Sequence, residues 1–115
     1  MLMGFFEGWK SPHTPAAHRD ILKNSAHVVL AFNPDAKRVV GFVTALSDGI
    51  QAAFIPLLEV LPEYRNKGIG TALMREMLRK LACMGCVDLT CDPELQPFYA
   101  RFGMRPSHGM IIRNY

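Results

Sequence analysis

Apolar positions along the chain follow two kinds of pattern. Val28 to Phe32 and Val39 to Leu46 are short, nearly unbroken apolar runs, closed by Asn33-Pro34-Asp35 and Ser47-Asp48-Gly49. Runs of that length between such breakers predict strands. A third run, Gln51 to Val60, follows directly, and the short connections predict an antiparallel three-strand meander. Pro56 lies inside the third strand, where its missing N–H interrupts the ladder and implies a bulge. That bulge would leave backbone groups of Leu58 to Val60 free for an extended ligand.

From Leu73 onward the period lengthens. Leu73, Met74, Met77, Leu78 and Leu81 form one stripe and Arg75, Glu76, Arg79 and Lys80 the other side, which predicts an amphipathic helix stopped by Gly85. Val87 to Cys91 reads as a strand reached by a helical crossover, hence parallel to the third. Asp92 and Pro93 suit the N-cap and first position of a helix running to Gly103 and perturbed by Pro97. Met110-Ile111-Ile112 reads as a closing strand. At the other end, Gly4 to Asn24 predicts two helical pieces broken by Ser11-Pro12-His13-Thr14-Pro15. Phe6 and Trp9 fit either core packing or a pocket wall. His13 and His18 are expected at the surface.

Length and composition narrow the classes. The 115 residues suit one domain, 1–115, with little room for a separate substrate domain. A net charge of +3 fits an anionic ligand, but the basic residues are scattered, which argues against nucleic-acid or membrane binding. No apolar segment approaches the roughly 20 residues of a membrane span, and Glu7 spoils the start as a signal peptide, so a cytoplasmic location is expected. The three cysteines argue against a disulfide framework. Cys83 and Cys86 fall at the end of the predicted helix, not at the helix start where a redox pair of this spacing works. Zinc would need Cys91 and His108 as well, so neither a redox pair nor a metal site is expected.

The candidate chemistry centres on Arg65-Asn66-Lys67-Gly68-Ile69-Gly70-Thr71, between strand and helix. Two glycines leave backbone N–H groups uncovered and the helix adds more at its positive end, an arrangement that binds phosphate, with Arg65 and Lys67 supplying full charge. A purely structural turn is the other reading. The loop lacks the Gly-Lys-Ser/Thr ending of ATPases and GTPases. Glu59, between Leu58 and Val60, either faces solvent or serves function.

Leu58 to Leu73, containing Arg65-Asn66-Lys67-Gly68-Ile69-Gly70, resembles the acetyl-CoA motif of the GNAT superfamily of N-acetyltransferases. Phe98-Tyr99-Ala100-Arg101-Phe102-Gly103-Met104 is similar to its second motif, and Asp92 stands where many members carry Asn. The resemblance implies an α/β fold of α+β type: a mixed sheet with the antiparallel meander, a parallel pair splayed at the CoA cleft, and helices on both faces. It implies that the customary N-terminal strand is missing. It also implies cofactor contacts from Leu58, Val60, Arg65, Asn66, Lys67, Gly68, Ile69, Gly70, Thr71 and Asp92. Tyr99 becomes the acid for the CoA thiolate and Glu59, directly or through water, the base. The expected reaction is direct acetyl transfer from acetyl-CoA to a primary amine of a small molecule, peptide or protein, with no metal. A non-catalytic acyl-CoA-binding module is the alternative. An exposed edge at His27 to Phe32 suits a homodimer.

Overall fold

In the computed structural model, which describes residues 2–9 and 11–115, two side-chain oxygens make the meander's turns. Asn33 Oδ1 accepts from the N–H groups of Asp35 at 3.0 Å and Ala36 at 3.4 Å. Asp48 Oδ1 accepts from Ile50 at 2.9 Å, Gln51 at 2.8 Å and Ala52 at 3.2 Å, and these bonds hold its carboxyl below the ordinary range. Such turns mimic a backbone turn and fix where the strands reverse.

The strands are β1 His27–Asn33, β2 Arg38–Ser47, β3 Ala52–Val60 and β4 Cys86–Asp88, ordered β1-β2-β3-β4 in one sheet. The first three are antiparallel and β4 runs parallel to β3. Every residue of β2 from Val39 to Ala45 is buried, because both faces of this strand are covered. Helix α2, Ile69–Lys80, packs Leu73, Met74 and Met77, followed by Leu81, against Val43, Ala45, Ala53 and Ile55. On the opposite face Phe5, Phe6, Val40, Phe42 and Leu61 cluster with Leu22 of α1, Pro15–Asn24. The mixed sheet with helices on both faces is the expected α/β arrangement.

Pro56 has the expected consequence. Thr44 pairs with Leu57 and Leu46 with Phe54, so Ala45 alone stands opposite Ile55 and Pro56. The β3–β4 ladder covers only Ala52 to Phe54. Beyond the bulge the parallel pair separates.

Five expectations are corrected. The first helical piece is only a turn, because Gly4, Phe6 and Gly8 have φ of 88°, 65° and 81°, which no right-handed helix accommodates. β4 is shorter than Val87 to Cys91, and Met110 to Ile112 forms no strand, with Met110 fully exposed. So short a β4 offers little ladder for another strand to extend. The segment after Asp92 divides into a 3₁₀ turn, Pro93–Leu95, and helix α3, Gln96–Ala100. Pro97 cannot donate to the carbonyl four residues back, so it sits in the first turn of a new helix.

His18 is the fifth. It is buried, not exposed, with ring centroids 5.3 Å from Phe5, 5.0 Å from Phe6 and 4.3 Å from Phe42. The helical spacing of His18, Ile21 and Leu22 puts all three on the apolar side of α1. Neither ring nitrogen has a partner among the described residues. Burial, and then the charge of His13, lower its pKa from 6.5. The folded protein therefore binds fewer protons than the unfolded chain just below pH 6.5, and the stability His18 contributes falls as pH drops through that region. The urea midpoint should decrease between pH 7 and pH 5, and His18→Leu should flatten that decrease.

Candidate active site

The bulged part of β3 supplies one wall of a groove. Leu61 N–H donates to the Val40 carbonyl at 2.8 Å, so by strand alternation Leu58 and Val60 direct their backbone groups away from β2. The β4 ladder does not reach them. The Val60 carbonyl accepts from Arg65 Nε at 2.9 Å, which ties the loop to the strand end.

Pro62–Tyr64 forms a 3₁₀ turn, then the backbone enters the left-handed region at Asn66, φ 63°, and again at Gly68, φ 83°. Gly68 is the N-cap of α2, and among the described residues no side chain caps the helix. The N–H groups of Ile69, Gly70 and Thr71 are thus left for a ligand or water. Gly70 lies within the helix and has no unusual φ. Its value is room, since a Cβ there would stand 3.6 Å from Phe98 Cζ.

A cavity of about 490 Å³ joins these parts. Its walls are Leu58 and Val60 of β3, Arg65, Asn66 and Gly68 of the loop, Ile69 to Thr71 at the start of α2, and Phe98, Tyr99 and Arg101 across from them. Arg101 Nη2 donates to Thr71 Oγ1 at 2.6 Å, and its guanidinium lies 5.1 Å from the Phe98 ring. Two guanidinium-bearing residues therefore flank the uncapped helix end.

Tyr99 is half-buried and lines a second cavity as well, of about 380 Å³, which also includes Cys91, Asp92 and Arg113. Burial, and then the Cys91 thiol, raise the phenol above its ordinary value of 10.0. Asp92 occupies the N-cap position of the Pro93–Leu95 turn, but its side chain makes no capping bond.

Two expected site residues stand apart. Lys67 lines neither cavity; its Nζ lies 5.8 Å from the Tyr64 ring centroid. Glu59 also lines neither. By strand alternation its side chain points to the face opposite Leu58 and Val60, and both carboxylate oxygens accept from Phe6 N–H at 3.1 Å. Burial raises its pKa, against the lowering effects of that N–H and of Arg65. Phe98 and Arg101 were not anticipated as site residues. Their separation by three positions in a helical segment, which puts both on one side, was the available signal.

A profile of the acetyltransferase (GNAT) family matches residues 1–104. The chain belongs to this family. Among solved structures, a Deinococcus radiodurans R1 protein assigned as an acetyltransferase is 50% identical with a TM-score of 0.93, covering 98% of this chain and 78% of that one. A GNAT family acetyltransferase from Streptococcus pneumoniae TIGR4 is 31% identical with a TM-score of 0.74, covering 88% of this chain and 80% of its own. Among curated proteins, an uncharacterised N-acetyltransferase, ycf52 of Porphyra purpurea, is 28% identical over 86 residues. That match takes in 71% of this GNAT chain and 49% of ycf52, so the chain spans about half the length of that relative.

Proposed function

We propose that this GNAT protein transfers an acetyl group from acetyl-CoA directly to a primary amine. The observation that carries the reading is one continuous groove, with an uncapped helix end, Arg65 and Arg101 at one end and Tyr99 at the other. The loop backbone binds the pyrophosphate. The backbone groups of Leu58 and the Val60 N–H, which β4 does not reach, pair with the extended pantetheine arm much as an added strand would, while the Val60 carbonyl is held by Arg65.

Acetyl-CoA supplies the activated acyl group. The Val60 N–H stabilises negative charge that develops on the carbonyl oxygen. Tyr99 holds a proton at its phenol oxygen for the departing sulfur. An alkylamine of pKa near 10.4 is only about one part in a thousand neutral at pH 7, a deficit of roughly 4 to 5 kcal/mol. Glu59 is the candidate base, and because its side chain lies on the opposite face of β3, bonded to Phe6 N–H, it acts only through a relay of several waters.

The test is calorimetric binding of acetyl-CoA combined with thiol release over a panel of amines. Binding with thiol release supports the enzyme. Binding without release across the panel supports instead a non-catalytic acyl-CoA module, the reading that the contact between Glu59 and Phe6 favours. Arg101→Gln should weaken acetyl-CoA binding about fivefold, a modest effect for a solvent-exposed guanidinium, and reduce its salt dependence. An unchanged affinity would remove Arg101 from the phosphate end.

The sheet edge at β1 leaves Leu30 and Phe32 about half exposed. We infer that a second copy covers this edge. A single monomeric species in sedimentation across micromolar concentrations would count against the dimer.

A further inference from the structure

The cavity that shares Tyr99 with the donor groove carries one residue of each charge. It lies where β3 and β4 separate, and brings Asp92 and Arg113 together with Ile55, Leu58 and Ile111. Among the described residues, ion pairs join Arg38 to Glu63 and Arg79 to Glu76, and neither Asp92 nor Arg113 takes part in one. Asp92 also leaves unused the capping bond that its place before Pro93 would permit. Both charges are therefore available to a ligand, beside the phenol assigned to the leaving sulfur.

We propose that this cavity receives the acceptor and that the acceptor is a small amino acid with an apolar body. Its ammonium group meets Asp92, its carboxylate meets Arg113, and its hydrocarbon part lies against Ile55, Leu58 and Ile111. The proposal rests on the acetyl-transfer reading of the groove and adds the acceptor's class to it.

Charge complementarity selects against the neighbouring classes. A plain alkylamine satisfies Asp92 and leaves Arg113 against hydrocarbon. A diamine brings its second cation to a guanidinium. The N-terminal amine of a long peptide has an amide where the carboxylate is needed. Specificity of this kind comes as much from the unpaired group left by the wrong ligand as from the pair made by the right one. The size agrees, since about 380 Å³ is near the low end of the roughly 300–1,000 Å³ typical of small-molecule pockets.

The chemistry balances without a further reactant. The ammonium sheds one proton, the nitrogen attacks the thioester carbon, and the N–C bond forms as the C–S bond breaks. Sulfur takes that bond's electron pair and the proton of Tyr99. Of the two protons the nitrogen loses in all, one restores Tyr99 through solvent and the other is released.

The experiment compares leucine, leucinamide and isopentylamine as acceptors for the full chain with acetyl-CoA, reading KM by thiol release. Calorimetry of leucine binding to the protein–CoA complex provides a second readout that needs no turnover. The expected result is a KM for leucine about tenfold below that of either analogue, because a charge-assisted hydrogen bond is missing from each of them. Arg113→Gln should bring that ratio toward one, and Arg113→Lys should restore part of it. Asp92→Asn should weaken all three acceptors. Acetylation of the three amines with equal KM, or a ratio unmoved by Arg113→Gln, overturns the amino-acid assignment and leaves acetyl transfer standing. If no amine releases thiol, the acetyl-transfer reading is what fails. Calorimetry then decides the site itself: leucine binding that Arg113→Gln abolishes supports it, and no binding overturns it.

Discussion

Replacing Tyr99 by Phe should lower turnover about 100- to 1,000-fold while acetyl-CoA affinity changes by less than about twofold, the magnitude expected when a positioned general acid is lost. The substitution keeps the aromatic ring, whose packing against Phe98 at a centroid distance of 5.0 Å positions it, and removes only the O–H. The two readouts therefore separate proton donation from packing. Burial and Cys91 raise the phenol above 10.0, and an acid must be protonated to act. Raising its pKa extends the active range upward, so the alkaline fall in rate should lie above pH 10 and disappear in Tyr99→Phe. Unchanged turnover in the variant would remove Tyr99 as the acid.

Phe42→Ala should cost about 3–5 kcal/mol of stability, as expected for truncating a fully buried aromatic. Phe42 has no exposed surface, and its ring meets Phe5 at 5.1 Å, Phe6 at 6.0 Å and His18 at 4.3 Å. It stands in β2, the strand buried on both faces, where little can collapse into the space left behind. A loss of this size is a large share of the roughly 5–15 kcal/mol that holds a domain folded. Urea unfolding measures it directly. Since Phe42 packs away from α2, acetyl-CoA affinity of the folded fraction should be nearly unchanged. A cost below about 1 kcal/mol would mean that the N-terminal segment does not depend on this ring.

Several features were legible because their causes are local. The turns at Asn33 and Asp48 need only a side-chain oxygen and the next few N–H groups. The bulge follows from Pro56 alone, and the α2 stripe from residues three and four apart. The loop's glycine turn into the start of α2 was legible because its left-handed positions and uncapped helix end lie within a few residues of each other. The resemblance of the Phe98 to Met104 stretch supplied the partner for that loop, since nothing local joins residues 30 apart such as Thr71 and Arg101.

What could not be read locally depends on distant partners. His18 was set at the surface by its chemistry, and only the rings of Phe5, Phe6 and Phe42 make its burial intelligible. Glu59 could be seen as a carboxylate among apolar neighbours, but its engagement by Phe6 N–H, 53 positions away, has no local signal. The closing run Met110 to Ile112 has strand-like composition, yet a strand exists only where another strand offers a ladder.

The Arg65 to Thr71 loop, the order of the elements and the family motifs were determined by the sequence itself, because short-range sterics, hydrogen bonding and hydrophobic period depend on near neighbours. Tertiary structure alone decided which side chains share a cavity. It set Arg101 against Thr71, turned Glu59 away from Tyr99, and brought Asp92 and Arg113 to the gap between β3 and β4. The physical reason is that each of these arrangements brings together segments far apart in the chain, and only the packing of the elements on one another decides which segments meet.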